Sequence, residues 1–191
     1  MSASREERTL EVAAEIGELL AQRGAPTAVI GAVALAVRGY PRATVDLDLA
    51  TDADPASVLE PTQRELAARG YDAELCLPDA DDPLGGVLTV RGADSDPVQV
   101  VNFRNPFRPG SGAVGREAIT HAEPAALGRL AVVDLPHLIA LKLYAGGVKS
   151  RADVAELLER NPGLEIDVLR ATCRGVGLEP ELEALLQELG R

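Results

Sequence analysis

Two aspartates separated by one residue open the chemical reading. In Arg42-Ala43-Thr44-Val45-Asp46-Leu47-Asp48-Leu49, apolar and acidic residues alternate. Successive side chains of a strand point to opposite faces, so Val45, Leu47 and Leu49 are expected in the core and Asp46 and Asp48 on the other side. Their Cα atoms would stand about 6.6 Å apart, twice the rise per residue. Carboxylates that close repel unless something neutralises them. Mg²⁺, or Mn²⁺ in its place, is a suitable partner, because it takes hard oxygen ligands and shares them with phosphate. Taken alone, the alternation fits a solvent-facing strand equally well. The flanks favour phosphate. Gly31 leads a turn that can offer backbone N–H groups to an anion, and Arg42 and Thr44 stand just upstream of the aspartates, with Arg42 able to neutralise the same phosphates.

The elements needed to position these groups are visible around them. Ser4 and Glu7 form a capping box for a helix whose apolar residues run from Leu10 to Ala21, before Gly24-Ala25-Pro26 stops it. A short strand, Thr27 to Ile30, is followed by a helix of small residues from Ala32 to Val37. The aspartate strand spans Val45 to Ala50. Asp54-Pro55 starts a helix that ends near Arg69. Tyr71 to Leu77 is a strand, and Val87 to Arg91 with Val98 to Phe103 make a hairpin. Residues 104–115 read as loop and Leu130 to Val133 as a strand. Asp134 caps a helix from Leu135 to Ala145, Ser150 starts another, and two short helices cover 165–174 and 180–189. The expected fold is α/β (α+β): a mixed sheet flanked by helices over about 25–133, with a helical part over 134–190, in one domain of 1–191.

Two motif blocks resemble a known family. Val29-Ile30-Gly31-Ala32-Val33-Ala34-Leu35 followed by Asp46-Leu47-Asp48 looks like the opening motifs of DNA polymerase β-like nucleotidyltransferases, and most of all the AbiEii/AbiGii toxin family. There a Gly-Gly or Gly-Ser turn precedes a strand bearing Asp-x-Asp; Ala32 departs from that pattern. The second block, Asp134 to Ala145 and then Lys149-Ser150-Arg151-Ala152-Asp153, is similar to the family's lysine helix and K-x-R-x-D element. The resemblance implies an enzyme that moves an NMP from an NTP to an acceptor hydroxyl, with tRNA or protein as acceptor and a cognate antitoxin as partner. It assigns Asp46 and Asp48 to metal, Lys142, Lys149 and Arg151 to the nucleotide phosphates along with Gly31, Arg42 and Thr44, and Asp153 to activating or orienting the acceptor. Residue usage agrees: of nineteen basic residues only Lys142 and Lys149 are lysine.

One element of that pattern is missing. Enzymes of this kind place a third carboxylate on a neighbouring strand, where it helps hold metal and can act as base. The matching stretch here is Val98-Gln99-Val100-Val101-Asn102-Phe103, with an amide at Gln99. Asp94 and Asp96 lie nearby but read as the hairpin tip. An active transferase and a nucleotide-binding or regulatory relative without turnover therefore both stay open, beside a purely structural protein.

Other features exclude more than they suggest. A net charge of −11 argues against a broad nucleic-acid surface, although Arg104, Arg108 and Arg116 could draw an acidic acceptor. No apolar run reaches the roughly 20 residues of a membrane span. Residues 1–9 lack the apolar stretch of a secretory signal. The expected location is therefore cytoplasmic, with Cys76 and Cys173 reduced and used in packing. Gly110 to Gly115 matches G-x-G-x-x-G without a preceding strand. The Asp79, Asp81 and Asp82 loop lacks calcium-loop order. His121 and His137 are read as isolated, without Cys partners for zinc, and as structural or exposed.

Overall fold

The computed structural model describes residues 4–191; residues 1–3, part of the segment read for a signal, lie outside it. The elements in order are α1 (Arg5–Gln22), β1 (Thr27–Ile30), α2 (Gly31–Val37), β2 (Leu47–Thr51), a π-helical turn (Pro55–Leu59) leading into α3 (Glu60–Ala68), and β3 (Asp72–Cys76). There follow β4 (Val87–Arg91), β5 (Val98–Asn102), α4 (Ala113–Thr120), β6 (Glu123–Pro124), β7 (Ala131–Val132), α5 (Leu135–Ala145), α6 (Gly147–Arg160), α7 (Ile166–Gly175) and α8 (Glu179–Glu188). This is a mixed α/β architecture, as the element pattern required.

The strands form a seven-stranded sheet in the order β3-β4-β5-β2-β1-β7-β6. β2 runs antiparallel to β1 and parallel to β5, and β1 runs parallel to β7. Leu47, Leu49, Val98, Val100, Leu88 and Val90 are all buried. Their period of two places them on one face of adjacent strands, away from Asp48. With few aromatic residues, the core is closed by Leu, Val, Ile and Ala from both the strands and the helices.

Local chemistry sets the helix ends. Ser4 Oγ accepts from Glu7 N, and Ser4 N donates to the Glu7 carboxylate, so the capping box forms. Asp134 Oδ1 accepts from His137 N at 2.9 Å, and Pro136 sits in the first turn of α5.

Several boundaries differ from the sequence reading. The strand begins at Leu47, and Val45 is 77% exposed instead of buried. Pairing explains this: the last partners of β2 at this end are Ile30 with Asp48 and Val98 with Leu47, so nothing stands opposite Val45. Residues 113–120, read partly as loop, form α4. Here Gly115 packs so closely on Phe103 that a Cβ would lie 2.0 Å from Cγ, which gives this glycine a packing role. α6 begins at Gly147, so Ser150 is not its cap and Asp153 lies inside the helix.

Candidate active site

β1 ends at Ile30, and the chain turns at once into α2 through Gly31, whose φ is +64°. An L side chain is strained there. Space forbids one too, since a Cβ on Gly31 would sit 1.9 Å from Asp48 Oδ2. The glycine therefore lets the turn close over the second aspartate. Asp46, just before β2, accepts a 2.6 Å hydrogen bond from Thr44 Oγ1 at Oδ1, which orients its carboxylate.

Asp46 and Asp48 line one cavity of about 410 Å³, together with Gly31, Arg42, Thr44, Lys142 and Lys149. Sequence-remote segments thus meet: the turn after β1, the approach to β2, the last turn of α5 and the start of α6. Burial, reinforced by the neighbouring charge of Asp46 and opposed by Lys142 and Arg42, pushes the Asp48 carboxyl up to about 6.

Behind the cavity, Asp153 is buried at 2% exposure. Lys142 Nζ lies 2.9 Å from its Oδ2. The approach is off the hydrogen-bonding direction, so Oδ2 accepts no hydrogen bond while still gaining the ion pair. Arg42 Nη1 stands 3.4 Å from Oδ1. Asp153 is thus enclosed by two cations and does not line the cavity. That arrangement suits holding Lys142 and Arg42 in place, whereas the sequence reading expected Asp153 to activate or orient the acceptor. Arg42 Nε is buried without a hydrogen-bond acceptor.

Arg151 is not brought to the site. It pairs with Glu188 on α8. Two residues before Asp153 on a helix, it emerges on a different face.

Gln99 is the register partner of Asp48 on β5. Its amide therefore occupies the neighbouring-strand position where the carboxylate was sought. Asp96 cannot replace it, because it pairs with Arg5 at 2.8 Å at the hairpin tip.

A second hollow adjoins the first, sharing Gly31 and Lys142 with it. It measures about 550 Å³ and is lined mainly by apolar side chains, among them Ile30, Leu84, Val101, Phe103, Leu138 and Tyr144. Sequence reasoning missed it because its walls come from five separated segments, two of which, at Ile30-Gly31 and along α5, were read only for their phosphate and lysine motifs. The one local hint was Tyr144, an aromatic residue in a chain with three tyrosines and two phenylalanines. The three loop arginines divide: Arg116 pairs with Asp52 at 2.9 Å, Arg108 borders the apolar hollow, and all three border a smaller one before α4.

Of the remaining candidates, Cys173 is buried and its thiol is pushed up to about 11 by burial first and by Glu181 and Glu179 next. It packs in the core. No helix among the described residues is long and apolar enough to cross a membrane.

No family model and no curated protein matches the chain. Solved structures do. The antibiotic-resistance factor ANT(2'')-Ia in solution aligns with 94% of this chain and 98% of its own at 15% identity and a TM-score of 0.52. A crystal structure of ANT(2'')-Ia with adenylyl-2''-tobramycin covers 87% and 95% at 13% identity and 0.50. An antigenic nucleotidyltransferase-like protein from Paracoccidioides brasiliensis covers 97% and 95% at 15% identity and 0.51. The likeness extends over nearly the whole chain in each case, and what it establishes is the fold: this chain has the nucleotidyltransferase fold.

Proposed function

We propose that the chain is a Mg²⁺-dependent nucleotidyltransferase that moves an NMP from an NTP to an acceptor hydroxyl. The observation that carries this reading is the shared cavity in which Asp46 and Asp48 face Arg42, Lys142 and Lys149 beneath Gly31. Acidic and basic groups in one hollow are what a metal–triphosphate complex needs.

The residues fit the ion. Two carboxylates open into the same space, the Asp48 carboxyl is raised first by burial and next by the charge of Asp46, and the bare Cα of Gly31 leaves room for Oδ2. Asp46 and Asp48 would hold Mg²⁺ or Mn²⁺, which when bound supplies positive charge to the triphosphate. The protein's own groups do the rest. Arg42 lines the cavity as a cation for the phosphates. Lys142 and Lys149 add charge, Thr44 fixes Asp46, and Asp153 positions Lys142 and Arg42. The acceptor oxygen attacks the α-phosphorus in line, the bond to the departing pyrophosphate breaks, and the hydroxyl proton leaves to solvent. Catalysis rests on positioning and charge stabilisation. The adjoining apolar hollow offers room for an uncharged part of the nucleotide or acceptor.

Within this fold, the resemblance to AbiEii/AbiGii toxins favours tRNA or protein as acceptor, with toxin activity and a cognate antitoxin. The adenylylated tobramycin bound to ANT(2'')-Ia adds a hydroxylated small molecule as a further acceptor class.

The register of Gln99 beside Asp48 supports a second reading: a protein that binds nucleotide and regulates without turnover. One experiment separates them. Labelled NTPs are incubated with Mg²⁺ or Mn²⁺ and total tRNA, protein or aminoglycoside, alongside Asp46→Ala/Asp48→Ala. Transfer that the variant loses supports the enzyme. Metal-dependent NTP binding without transfer supports the second reading, and absence of NTP binding ends both.

A further inference from the structure

The chain contains two histidines, and the fold brings them together, contrary to their reading as isolated residues. His121 closes α4 and His137 lies in the first turns of α5. Their rings stack with centroids 4.3 Å apart and planes 12° from parallel. Glu117, one turn before His121, completes a group whose ligand atoms all lie within 4.8 Å of one another.

Both rings are tethered through Nδ1. His137 Nδ1 lies 2.6 Å from Asp134 Oδ1. His121 Nδ1 lies 3.0 Å from the backbone oxygen of Glu117. An oxygen acceptor at Nδ1 fixes the proton there and leaves the lone pair on Nε2. No hydrogen bond reaches either Nε2 among the described residues. A histidine whose far nitrogen is held by a carboxylate or carbonyl is the usual arrangement behind a metal-ligating imidazole. His137 is also 8% exposed, so its orientation is set by packing as well.

We propose that Glu117, His121 and His137 form a site for a Zn²⁺-class ion, separate from the carboxylate pair, that ties the end of α4 to the start of α5. Two imidazoles and one carboxylate suit Zn²⁺, which takes nitrogen ligands readily, whereas Mg²⁺ prefers oxygen alone. Lone pairs that lie in the planes of two near-parallel rings cannot meet at one point, so binding requires one ring to turn. His121 is exposed at a helix end and can turn by giving up its Nδ1 contact with the Glu117 carbonyl, whereas His137 is buried and held by Asp134. Three protein ligands leave a fourth position to water. The site fixes the first turns of the helix that carries Lys142.

The test uses the full chain with Mg²⁺ in excess, so that Asp46 and Asp48 are occupied, and Zn²⁺ as probe. Zn²⁺ is titrated while the NMR signals of both imidazoles and the melting temperature are followed. One equivalent should move both ring signals together. At a hundredfold excess over the dissociation constant, Tm should rise by about 5–10 °C. His121→Ala, a surface change, should abolish both effects, and Glu117→Gln should weaken binding. Zinc that leaves the His137 signal unmoved would overturn the proposal. So would a Tm rise that survives His121→Ala, for instance one arising at exposed Cys76.

Discussion

Asp48 on β2 and Gln99 on β5 are register partners on adjacent parallel strands. They leave the same face of the sheet, and the amide is the nearest sheet neighbour of the more buried carboxylate on that side. A carboxyl group introduced at position 99 would complete a three-carboxylate site without moving the backbone. Gln99→Glu and Gln99→Asp are therefore expected to raise NMP transfer by about 10²-fold, the lower end of what a positioned base contributes. The check is the initial rate with labelled NTP at fixed Mg²⁺. An unchanged rate would show that position 99 does not face the reacting atoms.

Gly31 meets two independent demands, a positive φ and contact with Asp48. Gly31→Ala is expected to cost about 1–3 kcal/mol of stability from the backbone conformation alone and to displace the Asp48 carboxylate. Urea denaturation measures the first effect, and metal-dependent NTP binding, which should weaken at least tenfold, measures the second.

Asp48 gives a pH signature. Its carboxyl is raised to about 6 in the folded chain, from an ordinary value of 3.8. Below the ordinary value both folded and unfolded forms are protonated, and the raised group favours folding fully. As pH climbs to about 6 the unfolded chain has already lost its proton, so this contribution fades, by up to about 3 kcal/mol. Asp48→Asn should consequently be more stable than the parent at pH 7.5, with the advantage vanishing near pH 4. Divalent-ion affinity should follow the opposite course and fall as pH drops through 6. Denaturation curves and ion titrations at several pH values test both signs.

Asp153 and Arg151 stand two residues apart and predict opposite outcomes. Asp153→Ala leaves Lys142 and Arg42 without their buried counter-charge, which should cost about 3 kcal/mol and raise the KM for NTP. Arg151→Ala removes only a surface pair with Glu188 and should alter stability by less than about 1 kcal/mol, with NTP binding unchanged. Parallel melting and nucleotide-binding measurements on the two variants decide this. Weakened nucleotide binding in Arg151→Ala would place that side chain at the phosphates after all.

The local patterns that sequence reading used well were those with one physical cause. The Ser4–Glu7 box, the Asp134 cap and the alternation through Leu47, Asp48 and Leu49 each depend on neighbours in the chain. What failed depended on neighbours in space. Val45 has the alternation of a core residue but no strand beside it. Asp153 was legible as a motif aspartate, yet its enclosure by Lys142 and Arg42 needs three segments to converge. Arg151 and Lys149 sit in one motif, but only Lys149 reaches the cavity, because helical rotation separates them. The apolar hollow and the histidine pair left no periodic trace at all.

Lys142 and Gly31 border both hollows, the charged one and the greasy one. A molecule spanning both would meet paired acidic and basic groups on one side and mainly apolar walls on the other, with Lys142 and Gly31 at the junction. Compounds offering a single character, such as inorganic pyrophosphate or a plain hydrocarbon, can fill only one of the two. Discrimination between ligands is thereby built into the shape of the boundary rather than into either compartment.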